Sequence, residues 1–162
     1  MMRGQSLFSK ERLVYWPEEF SEVVNLLNGR DVEGRPVGNA LYSFNTGAIV
    51  LAASLGAREK RTRDVGARRK EISTATFNSH NLEAYLFLVP LLGNPSLGAD
   101  FLRVENEEQV IREFERYAAG GLEVLAGEME ASAGKAPDIL IQTLMMKGSH
   151  PSGTKSEMPS LL

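Results

Sequence analysis

The apolar positions of this chain fall into short periodic blocks separated by polar, glycine-rich breaks. Phe20, Val23, Val24 and Leu27 follow the i, i+3, i+4, i+7 spacing of one helix face. Pro17, Glu18 and Glu19 suit the start of that helix. Proline gives up an N–H that has no partner there, and carboxylates favour the positive end of the dipole. Gly29 marks the stop. Gly34, Pro36 and Gly38 then predict an irregular loop from Arg30 to Ser43. Asn45 or Thr46 is placed to cap a second helix running to Leu55, with Gly56 as its C-terminal stop. Ala48, Ala52 and Ala53 keep that helix thin, so a neighbour can approach closely.

Ile72 to Phe77 alternates weakly and is rich in β-branched residues, which predicts a short strand. Asn81 is placed to cap Leu82 to Val89, a stretch apolar on nearly every side that belongs at the centre of a fold. Pro90 and Gly93 end or kink it. Asn106 and Gln109 have the spacing of a capping-box variant. They precede a long helix whose apolar face is Val110, Ile111, Phe114, Tyr117, Ala118, Leu122 and Leu125. Gly120-Gly121 lies inside it, and each glycine costs about 1 kcal/mol relative to alanine in an exposed helix. The pair therefore predicts a kink or a close packing contact. A last helix over Pro137–Lys147 would bury Ile139, Leu140 and Leu144. Gly148 to Ser160 offers almost nothing to bury. These elements predict a single mainly α domain over 1–147, a compact bundle of about five helices around the central apolar helix with at most a short β element. A disordered tail over 148–162 follows.

Composition agrees with one soluble domain: 162 residues, 43% hydrophobic and 24% charged, close to the globular average. The longest apolar run, Leu82 to Leu92, is about half a membrane span and contains Glu83 and Pro90. Met1 to Ser6 carries no signal-peptide pattern, so a cytoplasmic location and no membrane partner are expected. The absence of cysteine excludes disulfides, thiolate metal sites and cysteine nucleophiles.

Charge changes this picture. Between Arg58 and Glu71 the cations Arg58, Lys60, Arg61, Arg63, Arg68, Arg69 and Lys70 face only Glu59, Asp64 and Glu71. That segment carries +4, which leaves −7 for the rest of a chain of net charge −3. From Glu105 to Glu130 eight glutamates face only Arg112 and Arg116. A basic segment on an acidic body suits contact with phosphates, since guanidinium is a planar fork of donors matched to phosphate oxygens. No aromatic residue interleaves the cluster, which favours duplex backbone over stacked single strands. The competing reading is that these arginines stay solvated or pair with the acidic helix of the same chain.

Catalytic chemistry is not indicated. His80 and His150 cannot form a metal site alone, and His80 reads as a loop histidine beside a helix cap. Ser79-His80 adjacency is poor geometry for a triad, and no nucleophile elbow, glycine-rich nucleotide cradle or Walker sequence occurs. No acid stands two residues before a lysine, as in many nucleases. The glutamates from Glu105 to Glu130 read as the wet face of a helix. No cofactor is expected.

Several blocks occur in a distinctive order. Leu13-Val14-Tyr15-Trp16-Pro17 leads to Phe44-Asn45-Thr46-Gly47-Ala48-Ile49-Val50-Leu51-Ala52-Ala53-Ser54-Leu55-Gly56 ahead of the basic stretch. Phe77, Tyr85-Leu86-Phe87-Leu88 and Phe114-Glu115-Arg116-Tyr117-Ala118-Ala119-Gly120-Gly121-Leu122-Glu123 follow. Over roughly residues 13–126 this resembles the small accessory proteins encoded beside bacterial DNA phosphorothioation (Dnd) systems, the type numbered fourth. The resemblance leaves the Arg30–Ser43 loop and the chain after Lys147 uncovered, and it brings no catalytic residues. It implies a role in a bacterial anti-phage defence island, with DNA and other components of the system as partners. Two other readings compete: a protein–protein adaptor with the arginines as its polar rim, and a ribbon-helix-helix regulator built from strand 72–77 and helices 81–92 and 106–126.

Overall fold

The computed structural model describes residues 5–30, 35–36 and 44–131. Strand β1 (Leu13–Pro17) passes through a 3-10 turn at Glu18–Phe20 into α1 (Ser21–Leu27). Helix α2 (Asn45–Glu59) is followed by β2 (Arg69–Ser73), α3 (Thr74–Ser79) and α4 (Tyr85–Gly93). Short 3-10 turns between Pro95 and Asn106 then lead into α5 (Glu107–Ala131). The class is mainly α with a small antiparallel β element, as the periodicity predicts. The expected helix over 137–147, the tail 148–162 and most of the Arg30–Ser43 loop lie outside the described residues.

Helices α2 and α5 form the centre, and small residues let them meet. A Cβ added to Gly121 would overlap the carbonyl oxygen of Ala52, and one added to Gly56 would stand 2.9 Å from the carbonyl carbon of Tyr117. Gly56 thus matches Tyr117 while Ala52 matches Gly121, so the two helices run antiparallel. The Gly120-Gly121 pair resolves as a close contact. Gly56 is not a stop: α2 continues through it to Glu59 and ends on Lys60, which adopts a left-handed φ of 56°.

The expectation of α4 at the centre is corrected. Leu86 and Val89 are fully buried, but Tyr85, Leu88 and Leu92 are 42%, 48% and 66% exposed. Its neighbours cover one side only, because the glycine and alanine surfaces of α2 and α5 pack more closely on each other. The cap assignments also shift. Asn81 takes a left-handed φ of 61° ahead of a turn, and α4 begins four residues later, at Tyr85. Asn45 lies inside α2, where its Oδ1 accepts from Asn28 Nδ2 at 2.7 Å. Asn106 donates to the Asp100 carbonyl at 3.0 Å rather than capping α5.

The predicted strand over 72–77 is displaced to Arg69–Ser73. Ser73 Oγ accepts from the Ala75 N–H at 3.0 Å, starting α3 and turning the chain out of the sheet. Phe77 then sits edge-on to Phe114 in the core, with ring centroids 6.2 Å apart. This excludes the ribbon-helix-helix order, in which strand 72–77 would carry groove-facing side chains. The partner strand β1 precedes α1, in a register that places Trp16 opposite Lys70 and Tyr15 opposite Glu71. Backbone bonds from Thr74 N to Arg12 O (2.8 Å) and from Glu18 N to Arg68 O (3.1 Å) extend the ladder at both ends. Even-numbered β1 residues therefore face β2, and the N–H of Tyr15 points away from it. It donates to Glu115 Oε2 at 2.9 Å, so α5 closes that edge of the sheet.

Buried carboxylates hold the N-terminal segment. Glu83 accepts from Ser6 Oγ (2.7 Å) and the Leu7 N–H (2.6 Å). Glu107 accepts from the Ser9 N–H (3.0 Å), Ser9 Oγ (2.9 Å) and Arg12 Nε (3.1 Å). Between these anchors Phe8 inserts into the core and stacks on Phe87 at 4.5 Å. Glu107 and Glu115 are 2% and 8% exposed, so the wet-face reading of the α5 glutamates fails at both. A carboxylate that accepts backbone N–H groups satisfies donors the fold would otherwise strand, which periodicity cannot reveal.

Candidate nucleic-acid interface

The basic segment leaves α2 at Lys60 and crosses α5 as extended chain. Gly120 makes the crossing possible, since a Cβ there would lie 2.6 Å from the Arg61 carbonyl carbon. The Arg63 N–H donates to the Arg116 carbonyl at 3.1 Å and fixes the crossing to α5. This places the side chains of Arg61 and Arg63 over the acidic helix.

The seven cations divide into two groups. In the first, Arg61 meets Glu123 at 3.2 Å. Arg63 reaches Glu123 at 3.3 Å and Glu19 at 2.9 Å, and its guanidinium lies 4.9 Å from the Phe20 ring centroid. Lys60 Nζ donates to the Gly93 carbonyl at 2.8 Å. Arg58 Nε stands 3.6 Å from Glu59. The pairing of arginines with the chain's own acidic helix, one of the readings open from sequence, is thus present at Arg61 and Arg63. Such partly exposed pairs contribute about 0–1 kcal/mol each, but Arg63 joins two carboxylates and a ring at once.

In the second group Arg68, Arg69 and Lys70 lie at the start of β2, all exposed. The Arg68 side chain is 91% exposed, and its Nε is 3.8 Å from Glu18. The Arg69 guanidinium lies 4.1 Å over Tyr15, and Lys70 Nζ lies 5.7 Å from the Trp16 ring centroid. Strand alternation sends Arg69 and Lys70 to opposite faces, so the three cations fan around the strand end. Sheet pairing therefore supplies the aromatic partners that the basic segment lacks in sequence. The signal was the Tyr15-Trp16 pair of β1, whose register no periodicity within residues 58–71 could disclose.

Glu115 lies beneath this sheet. Burial raises its carboxyl pKa above the ordinary value, against the lowering effects of the Tyr15 N–H, Arg69 and Arg112. His80 is held by a 2.7 Å hydrogen bond between its Nδ1 and Thr46 Oγ1 and stacks on Phe44 at 4.0 Å. Glu83, three residues on, turns its carboxylate to the N-terminal segment and Asn78. Among the described residues no group of three or more His, Asp or Glu side chains could hold a metal ion. No helix there is long and apolar enough to cross a membrane.

No curated protein and no solved structure matches the chain. One family model does, that of DNA sulphur modification system-associated protein 4, over residues 15–160. The match spans the Arg30–Ser43 loop and continues past Lys147, beyond the reach of the block resemblance. The chain belongs to the DNA sulphur modification system-associated protein 4 family.

Proposed function

We propose that this protein is a non-catalytic accessory component of an anti-phage system linked to DNA phosphorothioation, acting in the cytoplasm. It lends a short basic edge to DNA, alone or while a partner of the system holds the duplex. The supporting observation is the division of the basic segment. Arg61 and Arg63 are tied to Glu123 and Glu19 over α5, whereas Arg68, Arg69 and Lys70 are exposed together at one strand end. There Arg68 is 3.8 Å from Glu18, and Arg69 and Lys70 lie over Tyr15 and Trp16. Stacking on Tyr15 pre-orients Arg69, which lowers the entropy cost of meeting a phosphate. Such contacts position a protein on the backbone without reading bases. The acidic remainder of the chain keeps the contact weak, so the interaction is auxiliary.

The test is binding of purified protein to unrelated duplexes at low salt. Similar, salt-sensitive affinity for all of them supports the reading, and no binding at about 50 mM salt overturns it. A second reading, an adaptor without DNA contact, is favoured by the bridging of Arg61 and Arg63 through Glu123. There the exposed arginines form the polar rim of a protein interface, and DNA binding is absent.

A further inference from the structure

The two-stranded sheet has two outer edges, and the fold treats them unequally. Backbone bonds between Arg12 and Thr74 and between Glu18 and Arg68 fix the parity of the ladder. Even-numbered residues of both strands bond to each other, and the backbone groups of odd-numbered ones point outward. On β1 the outward Tyr15 N–H donates to Glu115 at 2.9 Å, and Pro17 has no N–H to offer. The edge of β2 is open. The N–H groups of Arg69, Glu71 and Ser73 and the carbonyls of Arg69 and Glu71 make no hydrogen bond among the described residues. Arg69, Lys70 and Glu71 are exposed, and no proline interrupts the strand.

Such a row of alternating donors and acceptors is a template for one more strand. The side chains decide which strand it takes. Arg68, Arg69 and Lys70 against Glu71 give this edge a charge of +2. A second copy pairing edge to edge would bring +2 against +2. The bonding groups all belong to odd-numbered residues, so a two-fold axis between copies passes through a residue near the middle of the strand, Lys70 or Glu71. That residue then stands directly opposite its own copy, and like charges so placed are destabilising. The cations thus guard the edge against its own kind. An acidic strand meets the reverse situation. It finds Arg69 on one face of the sheet and Arg68 and Lys70 on the other, so acids on either face are matched. The same charges that exclude one partner select another.

We infer that the outer edge of β2 takes up an extended acidic segment of a partner protein as a third strand. The segment bonds to the backbone of Arg69, Glu71 and Ser73 and pairs in charge with Arg68, Arg69 and Lys70. This goes beyond the DNA reading and stands without it, because the bonds run to the backbone edge. The probe is a capped decapeptide alternating glutamate and threonine, with a lysine–threonine decapeptide as its counterpart. Each is added to the full chain, and amide exchange is followed residue by residue by NMR. In the free chain Lys70, Ile72 and Thr74 should be protected while Arg69, Glu71 and Ser73 exchange freely. Protection of those three in the free chain overturns the inference, since the chain itself or a second copy would then cover the edge. The glutamate peptide should slow exchange at the three outward amides and bind about tenfold more tightly than the lysine peptide, the sum of three cross-strand ion pairs. Equal affinity, or no binding at about 1 mM peptide, overturns it. Glu71→Pro removes an outward N–H, leaves the bonds to β1 in place and keeps all three cations. It should lose the glutamate peptide, while Glu71→Gln keeps it. A folded Glu71→Pro that still binds shows attraction to the cations alone and contradicts the inference. If that variant does not fold, the exchange pattern of the wild-type chain with peptide decides: unchanged exchange at Arg69, Glu71 and Ser73 contradicts strand addition.

Discussion

Gly121 lies so close to Ala52 that any side chain at 121 would overlap the Ala52 carbonyl oxygen. The contact sets the spacing of the two central helices, and with it the position of everything α5 supports. Gly121→Ala should force them apart and cost about 3 kcal/mol or more. Gly127, on the same helix, has nothing within 4 Å of an added Cβ. Gly127→Ala should therefore stabilise by about 1 kcal/mol through helix propensity. Denaturant midpoints of opposite sign for the two variants are the expected outcome.

The carboxylate of Glu107 is a structural anchor. Glu107→Ala strands the Ser9 N–H and leaves Arg12 without its partner, so a loss of about 3 kcal/mol is expected. Glu108 next to it is exposed and, among the described residues, pairs with Arg112 at 3.2 Å. Glu108→Ala should stay within about 0.5 kcal/mol. Chemical denaturation of both variants checks this, with hydrogen exchange expected to show release of residues 5–12 in Glu107→Ala alone.

Glu115 gives a pH dependence of defined sign. Its folded pKa is raised, chiefly by burial, so the native state holds the proton more tightly than the unfolded chain. The stability this contributes is fully present below the ordinary carboxylate pKa and is lost as pH rises through the folded value. Glu115→Gln retains an oxygen to accept the Tyr15 N–H but cannot ionise. The variant should therefore gain on the wild type as pH climbs from about 4 toward neutrality. Thermal melts across that range measure the difference, and a constant offset would contradict the assignment.

The fold class was legible in the sequence because α5 is strongly periodic and α2 is conspicuously small. The glycine pair announced a close contact but not its partner. Non-local choices stayed hidden. Nothing in Ile72–Phe77 tells that Ser73 will cap a helix, and nothing in α4 tells which of its apolar sides is left uncovered. The candidate site was visible as composition only. The division between Arg61/Arg63 and Arg68–Lys70 depends on where the chain crosses Gly120 and on the β1–β2 register. Glu107 and Glu115 looked like two more surface acids because their donors lie about a hundred residues away in sequence.

That division is tested most directly by salt titration of duplex binding. Wild type is compared with the triple variant Arg68→Ala/Arg69→Ala/Lys70→Ala and the double variant Arg61→Ala/Arg63→Ala, with circular dichroism melts on each. The triple variant should keep its melting temperature and lose up to about 2.7 from the slope of log affinity against log salt, one phosphate per cation. The double variant should keep the slope and melt a few degrees lower, having lost the contacts to Glu123, Glu19 and Phe20. The opposite pattern, or equal binding by all three proteins, would contradict the account.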